Sequence, residues 1–122
     1  MYNKLLFGGL GAIHIFIGGI LALGYSAHAM SFFAVAFVSG LLASGVLKIL
    51  PVFVVRDPTA LRQLTSGSFL LDGLLFVVGY QFFIEVGTYE AQPIGYALAA
   101  GSALTMSGIG IYILRGQISF PN

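Results

Sequence analysis

The sequence predicts an all-α fold: an integral membrane four-helix bundle with its N-terminus and C-terminus both on the cytoplasmic side. Three observations carry that prediction. The chain has 122 residues, 58% of them hydrophobic and only 7% charged, with a mean hydropathy of +1.00, whereas a soluble domain carries about 25% charged residues. Its apolar residues gather into four runs of bilayer length, and most of its charges fall between them. A chain this poor in charge cannot cover a water-facing surface, so lipid is its expected solvent. One membrane domain over residues 1–122 is the expected organisation.

The four spans cover about residues 5–25, 30–50, 66–86 and 93–114. At 1.5 Å per residue, about 20 residues cross the roughly 30 Å hydrocarbon layer. Inside lipid these runs must be helices, because four short open strands would leave edge groups unsatisfied. The first span follows "MYNK" and precedes Ala27-His28-Ala29, which imitates a signal peptide with an A-x-A site. Its apolar run is longer than the roughly 7–15 residues of a signal core, so it reads as a retained first helix. Pro51 ends or kinks the second span. Residues 26–29 and 87–92 read as tight turns, and "PVFVVRDPTALRQLT" is the longest link. Within it, Asp57-Pro58 reads as an N-cap followed by proline at the first helical position, so the third helix is expected to begin at Pro58 and run about 29 residues. Pro93 opens the fourth.

Charge placement gives the orientation. Lys4, Lys48, Arg56, Arg62 and Arg115 fall at one membrane face in this reading, and Glu85 and Glu90 at the other. The positive-inside rule then makes the termini and the middle link cytoplasmic. Tyr2, Phe7, Tyr25, Tyr89, Tyr112 and Phe120 suit an interfacial belt, and Arg56 and Arg62 suit lipid phosphates. A net charge of +1 with five basic residues excludes nucleic acid as a partner of the usual electrostatic kind. The expected partners are membrane lipids and other membrane subunits or a second copy of the chain. No cysteine is present, which removes disulfides, thiolate metal sites and a cysteine nucleophile.

Seventeen glycines recur at helix-face spacing. Gly11, Gly18 and Ala22 mark the first helix, Gly40 with Ser44 the second, and Gly95, Ala99 and Ala103 the fourth, with Gly101 on an adjacent stripe that also holds Ala97 and Thr105. In lipid such residues let backbones approach closely. They fit a tight monomeric bundle, or a fourth helix that also packs a second subunit.

Two polar residues stand out inside the spans. His14 lies near the middle of "LGAIHIFIGGIL", on the same face as Gly11 and Gly18, so it points to a helix–helix seam. Three roles stay open for it: a hydrogen bond to a hydroxyl or carbonyl on a neighbouring helix, ligation of a haem or (bacterio)chlorophyll metal, or a place on a proton or substrate path. His28 lies about 21 Å further along a helix and cannot be a second axial ligand from the same chain. Asp72 is the one acid placed within the hydrocarbon, on a face with Ser68 and Gly79. It is a functional candidate, or else a neutral hydrogen-bonded acid or the partner of a snorkelling Lys48. Ser39, Ser44, Ser102, Thr105 and Ser107 are expected to bond back to their own helices. No catalytic triad, metal-ligand cluster or phosphate loop assembles from these parts, so no enzyme activity is expected.

The stretch "GGILALGYSAHAMSFFAVAFVSGLLASG" resembles the transmembrane-14 family, which includes the chloroplast fatty-acid exporters. Gly18, Gly19, Gly24, Tyr25, Ser31 and Gly40 occupy comparable places, and "PIGYALAAGSALTM" is similar to the opening of that family's last helix at Pro93 and Gly95. The likeness covers about half of the chain. It implies transport of a lipophilic molecule such as a fatty acid or porphyrin. Two functions are therefore expected. The first is a non-catalytic accessory subunit of a respiratory, photosynthetic or homo-oligomeric membrane assembly, in a prokaryotic plasma membrane or an organelle or thylakoid-type inner membrane. The second is a small oligomeric carrier with His14 and Asp72 near its path.

Overall fold

A computed structural model of the chain describes residues 2–25, 32–53, 57–87 and 90–115. They form four helices: α1 (Tyr2–Tyr25), α2 (Phe32–Phe53), α3 (Pro58–Glu85) and α4 (Pro93–Leu114). All four are long and apolar enough to cross a membrane. The helix starts follow the expected chemistry. Asp57 caps α3 by accepting the Ala60 N–H at 3.1 Å, with Pro58 in the first turn, and Pro93 opens α4.

One boundary differs from expectation. Pro51 does not end α2; the helix runs through it to Phe53. α3 begins at Pro58, as the Asp57-Pro58 signal predicts, so residues 58–65 of the middle link form its first turns. A proline near a helix end removes only one hydrogen bond, and a capped Asp-Pro start can seed helix directly. Asp72 thereby falls at the midpoint of the 28-residue α3.

Packing follows chain order. α1 lies against α2, α2 against α3 and α3 against α4, and the backbones of α1 and α4 nowhere come together among the described residues. The closest seam is α1–α2, where a Cβ on Gly11 would stand 2.7 Å from the Gly45 carbonyl oxygen, and one on Gly45 would stand 2.8 Å from that of Gly11. Only glycine at both positions permits this approach. On α3–α4, Gly73 abuts the Ala103 carbonyl, and the Ser66 hydroxyl donates to the Gly110 carbonyl at 2.7 Å. α1 meets α3 through side chains, including the edge-to-face pair Phe7–Phe69. The helices alternate in direction, so the start of α1 and the end of α4 lie at the same end of the molecule.

The distribution of polarity is the reverse of a water-soluble bundle. Leu5, Phe16, Leu23, Phe32 and Leu104 project outward, while Ser44, Lys48, Ser66, Ser68 and Asp72 are buried. Large apolar side chains on the outside and polar groups within are what a lipid solvent selects.

Candidate functional site

The buried polar residues converge on one place. On α2, Gly40, Ser44 and Lys48 recur every four residues and so form one face; on α3, Ser68 and Asp72 do the same. Gly40 fits under Leu75 and Gly79 under Phe37, which brings these two faces together. Lys48 Nζ then lies 2.6 Å from Asp72 Oδ2 and 2.7 Å from Ser44 Oγ, to both of which it donates. It also stands 5.3 Å from the centroid of the Phe69 ring. The Ser44 hydroxyl donates to Asp72 Oδ1 at 2.5 Å. Lys48 is 1% exposed, so its ammonium is enclosed by the protein.

His14 completes the cluster from α1. Gly11 and Gly18 pack against α2 and carry α1 close enough for the imidazole to reach across to α3. Its Nδ1 lies 2.7 Å from the Leu10 carbonyl, and its Nε2 lies 3.2 Å from Asp72 Oδ1. The partner on the neighbouring helix is thus a carboxylate, and one carbonyl of its own helix occupies the other nitrogen. A pigment metal at Nε2 would have to displace Asp72. Among the described residues, no three His, Asp or Glu side chains gather as a metal-ligand set.

Beside the cluster lies a cavity of about 600 Å³ lined by all four helices. It occupies the gap that α1 and α4 leave open in front of α2 and α3. Phe37, Leu41, Leu75, Phe83 and Leu98 give it an apolar wall, and His14, Lys48 and Asp72 supply its polar patch. Tyr80 also lines it and is fixed in place: its hydroxyl donates to the Glu90 carbonyl at 2.9 Å, and its ring meets Tyr96 edge to face. Gly95 must be small here, because a Cβ would run into the Tyr80 hydroxyl.

The remaining expected positions separate clearly. Gly11, Gly18, Gly40, Gly95 and Ala99 sit in helix–helix seams or along the groove. Ala103 offers its carbonyl to Gly73, whereas Gly101 is exposed with open space where a side chain would be. Ala22 is half-buried, and Arg62 is exposed in the early turns of α3. Arg56 and His28 lie outside the described residues. Ser39 and Thr105 do bond back to the carbonyls of Val35 and Gly101. Ser44 does not; it bonds to Asp72. Sequence reasoning missed Ser44 as a member of the site and Lys48 as a buried one. The signal was the four-residue repeat of Gly40, Ser44 and Lys48 facing that of Ser68 and Asp72.

Compared with protein-family models, curated proteins and solved structures, the chain matches none.

Proposed function

We propose that this chain is a multi-pass membrane protein that binds a lipophilic molecule in the groove between α1 and α4 and carries it within or across the bilayer. In this reading both termini and the α2–α3 link face the cytoplasm, and no chemical conversion of the cargo takes place. The observation that carries the proposal is the groove itself. A cavity of about 600 Å³ lies within the size range of ligand sites, about 300–1,000 Å³, and its apolar lining with a few convergent polar groups is their usual character. The absence of a backbone seam between α1 and α4 gives a lipid-dissolved molecule a sideways entrance.

Native mass spectrometry of the protein released from mild detergent tests this. The wild type is expected to carry a co-purified lipophile, and Ser102→Phe, which places a ring in the groove wall, is expected to lose it while keeping its helix content. An empty wild-type groove, together with stoichiometric co-purification of another membrane subunit, would instead make the chain an accessory subunit of a larger assembly.

A further inference from the structure

Carriage of a lipophile does not by itself require a lysine in the interior, and Lys48 has the surroundings of an amine nucleophile. A lysine within the bilayer is costly and is a functional group by default, while an enclosed ion pair gives a fold no stability that apolar residues of the same size would not. Lys48 borders the groove, yet only 1% of its side chain is exposed. Its nitrogen has two hydrogen-bond acceptors, Asp72 Oδ2 at 2.6 Å and Ser44 Oγ at 2.7 Å. Both lead to one base, because the Ser44 hydroxyl itself donates to Asp72 Oδ1 at 2.5 Å. An ammonium has a third N–H. Among the described residues it finds no third acceptor, only the Phe69 ring, whose centroid is 5.3 Å from the nitrogen. A desolvated lysine in contact with a proton acceptor is the arrangement that lets an amine attack a carbonyl carbon.

We propose that the groove holds a lipophilic aldehyde through a reversible imine bond to Lys48 Nζ, with Asp72 as the base that frees the amine and the counter-ion of the protonated imine. This rests on reading the groove as the site of a lipophilic ligand. The step balances within the cluster. The Lys48 ammonium passes one proton to Asp72 Oδ2, and the amine then attacks the carbonyl carbon to form the C–N bond. The nitrogen's two remaining hydrogens leave with the carbonyl oxygen as water, and Asp72 returns its proton to the imine nitrogen. Nothing is oxidised or reduced. The sum of charges is the same before and after, so no charge is newly stranded in the apolar interior. Hydrolysis runs the same steps backwards and frees the aldehyde unchanged, which keeps covalent holding compatible with carriage. The rings of Phe37, Phe69, Phe76, Phe83 and Tyr80 line the groove and offer the body a largely aromatic surface. A carboxylate has no carbonyl that condenses in this way, which separates this cargo from a fatty acid or a porphyrin.

The test uses two probes with the same body, retinal as the aldehyde and retinol as the alcohol, on the full chain in an amine-free detergent. Borohydride converts any imine into a stable amine, which intact mass and peptide mapping then locate. The sequence makes the assignment clean, since Lys4 is the only other lysine. Retinal is expected to give one adduct per chain, on Lys48, with its absorption moved to longer wavelength by the protonated imine, and retinol is expected to bind without an adduct. Lys48→Met should lose the adduct and keep retinol. Since that variant leaves Asp72 without its main partner, Lys48→Met/Asp72→Leu removes both groups together and should behave alike. Asp72→Asn should form the adduct more slowly and absorb at shorter wavelength; an unchanged rate and wavelength would remove Asp72 from its role. Retinol binding without a retinal adduct, an adduct confined to Lys4 or the N-terminal amine, or an undiminished adduct in the double variant overturns the imine while leaving a lipophile site in place. Binding of neither probe overturns the groove reading itself.

Discussion

At the scale of single residues, Asp72 is the position on which the interior depends. It receives the Lys48 ammonium, the Ser44 hydroxyl and the His14 edge, so one side chain of α3 answers groups from two other helices. Replacing one partner of a buried ion pair strands the other, whereas replacing both by apolar groups of similar size is often neutral. Asp72→Ala is accordingly expected to cost about 3–5 kcal/mol, and Lys48→Met/Asp72→Leu to cost distinctly less, measured by reversible unfolding in mixed micelles. Equal losses in the two would show that packing, not charge, holds this place. Much of the cluster was legible in the sequence. An acid in the third span and a histidine on a glycine-marked face announced themselves because polar groups in lipid need partners. Ser44 did not, since a helical serine has a ready acceptor in its own preceding turn. Lys48 was misplaced because five residues from a helix end is within snorkelling reach, and only the α2–α3 register shows that the reach is not used.

At the scale of elements, the glycines divide into those that set a seam and those that do not, and spacing alone does not tell them apart. Gly11 and Gly18 lie against α2, and Gly101, on an equally regular stripe of α4, meets nothing within 4 Å. Gly11→Ala puts a methyl group 2.7 Å from the Gly45 carbonyl oxygen, a contact with backbone that cannot turn aside. It is expected to destabilise by about 1–3 kcal/mol. Gly101→Ala, by contrast, is expected to be neutral or to stabilise by up to about 1 kcal/mol, because it restricts the unfolded chain at no steric cost. If Gly101→Ala instead lowers the molecular mass seen in detergent, that face of α4 packs a second subunit. The helix ends were read well from sequence where capping chemistry was explicit, at Asp57-Pro58 and Pro93, and less well at Pro51, where proline alone does not say whether a helix stops or continues.

At the scale of the whole molecule, length and hydropathy foretold four helices, but not that their ring stays open. Nothing in a pattern of apolar runs distinguishes four helices closed on a common core from four laid side by side in an arc. That depends on which faces carry the close-approach glycines, and here they serve α1–α2, α2–α3 and α3–α4. The alternating helix directions put the start of α1 and the end of α4 at the same end of the molecule, so we expect reporter tags on the N-terminus and on the C-terminus to be labelled from the same side of the membrane, the cytoplasmic one. Labelling from opposite sides would remove the four-span topology. The chain-order packing also bears on how the protein is made. As the membrane protein proposed here, each newly emerging helix finds its main neighbour already in place, which keeps most contacts local and folding quick. The ionic cluster is the exception. Lys48 belongs to the second helix, and its counter-charge arrives only with the middle of the third. During synthesis there is an interval in which a lysine destined for the interior awaits its acid, and a chain arrested before Asp72 should be the form that membrane quality control removes first.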